Sequence, residues 1–200
     1  MHHRRLLVAL LALFLVVLVW SGIQPKDRFT WVLEVAPAVV AAGVLLITRR
    51  RFPFTTLAYV AMWMHAMILL VGGKYTYAEV PLGDWVRDAL YLARNHYDRL
   101  GHFAQGFFPA VVVREILLRK SPLQPGKWLF FIATCICLAI SAVYELIEWW
   151  TALLTGESAQ AFLGTQGDVW DTQWDMMLAL IGAIVSLIAL SRLHDRQLRG

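Results

Sequence analysis

Residues 6–20 read LLVALLALFLVVLVW, a run with no charged residue that follows Arg4 and Arg5. A helix needs about 20 apolar residues to cross the hydrocarbon core of a bilayer. This run, extended over 5–22, meets that length. Five further apolar segments follow near 30–48, 54–73, 101–118, 128–150 and 174–192. The fourth and sixth each begin among charged residues. The sequence therefore predicts an all-α, polytopic helical membrane protein with about six transmembrane helices, forming a single integral membrane domain over 1–200.

Composition agrees. Of 200 residues, 59% are hydrophobic and 16% charged, against about a quarter charged in an ordinary soluble domain. Mean hydropathy is +0.59. Short segments of alternating polarity, the mark of a β-barrel, do not occur. No internal repeat or low-complexity stretch interrupts the pattern. The first segment resembles a signal peptide, MHHRR followed by an apolar run, but WSGIQP offers no good small-residue cleavage site. An uncleaved first helix is expected.

The net charge of +4 does not point to nucleic acid, because the basic residues lie in short clusters beside apolar runs. Those clusters are topology signals. One set of connections carries Arg4, Arg5, Arg49, Arg50, Arg51, Arg119, Lys120, Lys127, Arg192, Arg196 and Arg199. The other carries only Lys26, Arg28, Lys74, Arg87, Arg94 and Arg99. Both termini are thus expected in the cytoplasm of a bacterial inner membrane. Arg114 lies within the fourth segment, where Arg114 and Glu115 read as a snorkelling or intrahelix pair near the cytoplasmic side. Cys135 and Cys137, two apart on one helix, point about 200° from each other. They read as packing or lipid-facing residues, neither a disulfide nor a thiol metal site.

The acids sort to one side. Of the fourteen, only Glu115 and Asp195 fall away from the outer face. Two loops lie there, about 74–100 and 151–170. In the first, DWVRDALYLARNHYDRL (84–100) has helical character. Trp85, Leu90 and Leu92 suit an interfacial helix capped by Asp84. The second contains TGESAQAFLGTQGD (155–168), rich in glycine, serine and threonine.

Three patches place ionisable groups at helical spacing, where side chains three, four or seven apart share a face. HYDRLGHF (96–103) holds Asp98 and His102, with Gln105 one turn on. YELIEWW (144–150) holds Glu145 and Glu148. GDVWDTQWD (167–175) holds Asp168, Asp171 and Asp175. The topology sets all three at one membrane level, so seven ionisable residues from three helices can line one outward-facing pocket. Glu34 near the outer start of the second segment, and His65 in MWMHAM (62–67), can join it.

Ionisable groups within a bilayer are costly and mark function by default. Six carboxylates in one pocket cannot all stay charged unaided: either several hold protons or cations balance them. Carboxylates with one imidazole suit Mg²⁺, Mn²⁺ or Zn²⁺, so Asp98, His102, Glu148, Asp168, Asp171 and Asp175 are candidate metal ligands. Asp98, His102, Glu145 and Glu148 are candidate acid–base catalysts. Arg99 can supply part of the countercharge. Each residue also has a plainer reading: an acid at a helix end can sit among headgroups, Asp168 and Asp171 can favour a helix N-terminus, and His65 can be a satisfied packing residue. The tryptophans at segment ends fit an interfacial belt. P-loop, GxSxG, HExxH and CxxC motifs are all missing, and nothing points to nucleotide, haem or nucleic acid.

HYDRLGHF, YELIEWW and GDVWDTQWDMMLALIGA together resemble the YjdF-like family of bacterial inner-membrane proteins, and the resemblance covers nearly the whole chain. That family is a domain of unknown function. The resemblance therefore implies a multi-pass inner-membrane protein and no particular activity. A second resemblance is to VanZ-type membrane proteins, with a D-x-x-x-H-like helix start (Asp98, His102), a glutamate late in the next helix (Glu145 or Glu148) and an acidic D-x-x-x-N-like helix start (Asp171). Asp175 stands where that pattern has asparagine.

Three functions remain open at this stage. The first is a periplasm-facing site that binds a divalent metal ion or does acid–base chemistry on a small-molecule, envelope or lipid-linked substrate. The second is a structural or partner-binding membrane protein, which requires that the patches do not converge. The third is a proton- or cation-coupled transporter, which requires a polar path continuing inward. The lipid bilayer is the one partner the sequence implies directly. Reporter fusions at residues 50, 123 and 200 should report the cytoplasm, and fusions at 85 and 160 the periplasm; the reverse pattern would invert the pocket's side.

Overall fold

A computed structural model describes residues 2–156 and 160–199. Residues 157–159, part of the glycine- and serine-rich loop, lie outside the described residues. The described chain is helical: α1 (His2–Gly22), α2 (Arg28–Thr48), α3 (Thr56–Tyr75), α4 (Pro81–Leu90), α5 (Tyr97–Lys120), α6 (Lys127–Thr155), α7 (Gln160–Leu163) and α8 (Asp171–Arg199), with one 3-10 turn at Tyr77–Glu79. No strand occurs among the described residues.

Five of these helices, α1, α2, α3, α6 and α8, are long and apolar enough to cross a membrane. The expected fourth span is α5. Its 24 residues make about 36 Å of helix, which is length enough, but its charged residues keep it out of the apolar set. The chain solves this by position. α5 packs against α8, α3 and α6, and its polar residues are largely buried between them.

Local signals set the helix boundaries. Asp27 accepts from the Thr30 amide at 2.6 Å and caps α2. Thr55 accepts from the Ala58 amide at 3.3 Å and caps α3. Both remove an orphan donor from a helix start. The expected interfacial helix over 84–100 is shorter than its sequence suggested. α4 starts at Pro81, with Asp84 inside its first turn, and ends where Tyr91 turns left-handed at φ 54°. Asp84 is therefore no cap: it accepts from Arg87 at 2.8 Å and from the Asn95 side chain at 3.0 Å. Trp85 and Leu90 are exposed, as an interfacial helix requires, whereas Leu92 lies beyond the helix.

The long helices alternate in direction. Lys74 at the end of α3 bonds the carbonyls of Trp20 and Ile23 at the end of α1. At that same end lie the start of α2, the start of α5, the end of α6 and the start of α8. Most of the acids gather here. At the opposite end, Gln197 of α8 accepts from the Leu57 amide of α3 at 2.9 Å. Arg119 of α5 there reaches the Pro53 carbonyl at 2.6 Å.

The closest approach is between α5 and α8. A Cβ on Gly106 would land on the Ala179 carbonyl, and a Cβ on Gly182 would land on the Phe103 carbonyl. The two backbones touch reciprocally through two glycines. In lipid, where helix association draws little from hydrophobicity, small residues that admit such approach carry the packing. Ala110, Ala133, Cys137, Ala183 and Leu187 continue the contact toward the opposite end and draw in α6.

That end is closed by a buried ionic network. The Glu115 carboxylate, fully buried, accepts from the Thr55 amide at 3.1 Å, the Thr55 hydroxyl at 2.7 Å and Arg119 at 2.7 Å. His194 lies between Arg114 (3.1 Å to Nδ1) and Glu115 (3.0 Å to Nε2). Arginine can only donate, so Nδ1 accepts and Nε2 carries the proton that Glu115 receives. Arg114 also donates to Asp195 at 2.6 Å. Arg114 and Glu115 thus do not form the snorkelling or intrahelix pair expected from sequence. They tie α5 to α3 and α8, because a buried charge needs partners on neighbouring helices once its own helix faces protein on several sides.

Gly106→Ala and Gly182→Ala should each destabilise the protein by about 1–3 kcal/mol or more, read as a lower thermal midpoint in detergent, while Gly43→Ala, with open space at its Cβ, should leave the midpoint unchanged or raise it. Glu115→Ala should cost about 3–5 kcal/mol by stranding its buried partners, whereas Arg87→Ala, which removes a half-exposed pair at the surface, should cost under about 1 kcal/mol.

Candidate functional site

At the acidic end, α5 turns Asp98 and His102 inward one helical turn apart, toward α6 and α8. Both are buried. The His102 ring has carboxylates on both sides. Its Nε2 lies 3.5 Å from Asp98 and 3.9 Å from Asp175 of α8, and its Nδ1 lies 3.6 Å from Glu145 of α6. Glu148, one turn beyond Glu145, completes the second side. Two groups therefore bring their ligand atoms within 4.8 Å of one another, Asp98–His102–Asp175 and His102–Glu145–Glu148, with all five residues buried.

These atoms are unusual in having little else to bond. Among the described residues, His102 Nδ1, Glu145 Oε1 and Asp175 Oδ1 are buried without a hydrogen-bond partner. Native proteins satisfy most buried polar atoms. Four buried carboxylates thus surround one imidazole, and among the described residues no Arg or Lys pairs with any of them.

The other acids are balanced. Asp171 accepts from Arg94 at 2.6 Å and Asp168 from Arg99 at 2.8 Å. Arg94 also reaches the Gly164 carbonyl at 3.3 Å. Asp168 precedes α8 and accepts from the Trp170 amide at 2.9 Å, so only Asp171 and Asp175 share the helical face that spacing suggested. Neither Asp168 nor Asp171 belongs to the two ligand-distance groups. Arg99 spends its charge on Asp168 and leaves the inner cluster alone. Asn95 and Gln166 exchange two bonds, 3.1 and 2.9 Å, and strap the loop before α8 to the loop before α5.

Two tyrosines add donors that spacing did not single out. Tyr144, at the start of YELIEWW, donates to Glu34 of α2 at 3.2 Å, and its ring meets the His102 ring edge-on at 6.4 Å between centroids. The signal was present, since Tyr144 and Glu148 share a helical face. Tyr77, in the 3-10 turn, fills a slot between Gly72 and Gly101, where any Cβ would overlap its ring. Burial first, and then the neighbouring Glu34, push its phenol well above its ordinary range, so it stays protonated as a donor. No sequence motif marked Tyr77. Arg94 was visible only as a basic residue on the side poor in them.

The site opens into a cavity of about 900 Å³. Glu34, Tyr77, Asp98, His102, Tyr144 and Glu148 line its acidic end. His65 and Gln105 line it at mid-depth. His65 stacks on Phe108 at 6.4 Å, yet among the described residues its Nε2, like Gln105 Oε1, has no hydrogen-bond partner. It is therefore not the satisfied packing residue of the plain reading. Glu34 is linked to the acidic patch through Tyr144, and His65 lines the same cavity.

Comparisons with known proteins support the first of the two resemblances. A family model described as "Predicted membrane protein (DUF2238)" matches residues 6–196. The chain is 53% identical over 183 residues to the inner membrane protein YjdF of Escherichia coli (strain K12), an alignment covering 92% of this chain and 88% of that protein. No solved structure matches. The chain is an inner-membrane protein and belongs to the DUF2238 membrane protein family.

Proposed function

We propose that the chain is a membrane-embedded, divalent-cation-dependent enzyme whose site faces the periplasm and acts on a lipid-linked or envelope substrate. The observation that carries this reading is the His102 ring, buried between Asp98 and Asp175 on one side and Glu145 and Glu148 on the other, with ligand atoms left unpartnered. Ligands about 2.1 Å from a tetrahedral ion sit about 3.4 Å apart. The 3.5 and 3.9 Å separations from His102 Nε2 to Asp98 and Asp175 suit such an ion after small adjustment. Glu145 then takes the familiar outer role, accepting Nδ1–H and fixing the ring. Glu148 would move a proton to or from a reacting group, and a bound divalent ion would supply Lewis-acid polarisation there.

The alternatives draw less support. A purely structural role for the acids required that the patches stay apart, whereas three carboxylates lie within 3.9 Å of one imidazole. A proton or cation relay required a polar path inward. Beyond His65 and Gln105 the cavity runs on to Arg4, Arg49 and Arg50, but the wall between is mostly apolar, with residues such as Leu11, Phe14, Ala42 and Leu45.

The test is cation binding by the detergent-solubilised protein, followed by elemental analysis and by melting with added Mn²⁺, Zn²⁺ or Mg²⁺. Wild type should bind near one ion per chain and melt higher in its presence. Asp98→Asn and Asp175→Asn should each weaken binding at least about tenfold, and Asp168→Asn, which removes an Arg99 partner, should not. No bound ion and no ion-dependent melting would sink the proposal.

A further inference from the structure

The cavity that meets the acidic site reaches the opposite end of the bundle, and that end is basic. Arg4 of α1, with Arg49 and Arg50 just past α2, lines it there, and all three are exposed. Among the described residues, the arginines with carboxylate partners are Arg87, Arg94, Arg99, Arg114 and Arg119. The three that line the cavity are not in that set. Their end of the bundle has no acid to spare. Glu115 and Asp195, the two acids there, are engaged by Arg119 and Arg114.

From these arginines an apolar passage leads inward between two walls. α1 and α2 each pack on α3, and both line the passage. On α1, Arg4, Leu7, Leu11 and Phe14 follow at spacings of three and four, so they share one helical face. On α2, Arg49, Leu45, Ala42 and Ala38 do the same. Ten steps of the first wall and eleven of the second, at 1.5 Å each, make about 15 and 16 Å. One leaflet of a bilayer offers about 15 Å of hydrocarbon, half of the ~30 Å core. Both walls therefore match the depth of one leaflet, and both begin at an arginine. At the deep end, Phe14 and Ala38 join Ala66 and Leu70 of α3 in one apolar cluster. The carboxylates start beyond it, at Glu34, one turn further along α2.

Unpaired guanidinium groups beside a leaflet-deep apolar passage complement a particular kind of molecule. A guanidinium offers paired N–H donors that match phosphate oxygens. Basic pockets between helices on the cytoplasmic side of a membrane suit anionic lipid heads, and the charge asymmetry of the sequence sets this end on that side. Inorganic phosphate would answer the arginines and leave the passage empty. A zwitterionic lipid would fill the passage and bring no net charge. An anionic phospholipid does both.

We infer that the passage between α1 and α2 seats one acyl chain of an anionic phospholipid from the cytoplasmic leaflet, its phosphate held by Arg4, Arg49 and Arg50. The lipid adds a bridge between α1 and α2 and stops short of the His102 cluster. The seat uses no residue of the proposed cation site and stands or falls separately from it.

Native mass spectrometry and thermal melting of the full chain, purified in neutral detergent and stripped of lipid, test the seat. The probes are dioleoyl phosphatidylglycerol, dioleoyl phosphatidylcholine, dihexanoyl phosphatidylglycerol and inorganic phosphate. Dioleoyl phosphatidylglycerol should be retained at one copy, bind at least about tenfold tighter than the phosphatidylcholine and raise the melting midpoint. The dihexanoyl lipid and inorganic phosphate should leave the midpoint unchanged. The double variant Arg49→Gln/Arg50→Gln should lose the preference for phosphatidylglycerol. Arg51→Gln/Arg192→Gln removes equal charge from the same end at residues outside the cavity lining, and should keep it. Ala42→Trp from one wall and Leu7→Trp from the other should each abolish one-copy retention with helical content unchanged. The inference is overturned by no retained phosphatidylglycerol, by equal binding of the two dioleoyl lipids, or by equal binding of the long- and short-chain forms. A preference lost equally in both arginine double variants, or one-copy retention intact in both tryptophan variants, would overturn it as well. No reading involves a divalent ion, so failure of the cation site leaves the lipid result standing.

Discussion

The close approach of α5 and α8, at Gly106 against Ala179 and at Gly182 against Phe103, sets the distance on which both polar clusters depend. With no Cβ on either side, each helix reaches the other's backbone carbonyls. The pair is antiparallel. On one side of the contact it sets Asp98 and His102 against Asp175. On the other it sets Arg114 and Glu115 against His194 and Asp195. A wider separation would leave His102 beyond reach of Asp175 and would open the Glu115 network to lipid.

The two clusters share ingredients and differ in balance. Around Glu115, the charges of Arg114, Arg119, Glu115 and Asp195 offset one another and the hydrogen bonds are filled. Breaking such a network is costly, which suits a staple. Around His102 the carboxylates outnumber the available cations, because Arg94 and Arg99 are engaged by Asp171 and Asp168. A cluster that is buried and incompletely partnered stands apart from the rest of the interior, where most polar atoms are bonded. The strap between Asn95 and Gln166 then closes the acidic end above it.

α5 shows why a polar helix can live in this bundle. Its composition alone fails the test for a membrane span. Its neighbours, α3, α6 and α8, supply the apolar face toward lipid and leave α5 inside. Pro109 within it is tolerated because surrounding helices can absorb the freed carbonyl. α2 is held more loosely, by Tyr144 on Glu34 and by its packing on α3. The long cavity lies along this less tightly packed helix.

Much of this was legible in the residues. Apolar runs such as 6–20 declared the membrane class, and the clustering of basic residues at 4–5, 49–51 and 119–120 ordered the helix ends. Spacing within HYDRLGHF, YELIEWW and GDVWDTQWD named the side chains that face inward, since 3.6-residue periodicity is a local property. It could not say which of them meet. Azimuth and separation between helices are set by contacts such as Gly106 with Ala179, which no local pattern encodes. So Asp98, His102, Glu145, Glu148 and Asp175 converge, Asp168 pairs with Arg99 in the first turn of α5 and Asp171 with Arg94 in the loop before it, and Arg114 with Glu115 becomes a buried staple. The sequence by itself determined a helical inner-membrane protein with its acids gathered at one end. Only the tertiary structure decided which acids are neutralised and which remain, because charge balance in a membrane is a property of neighbours in space.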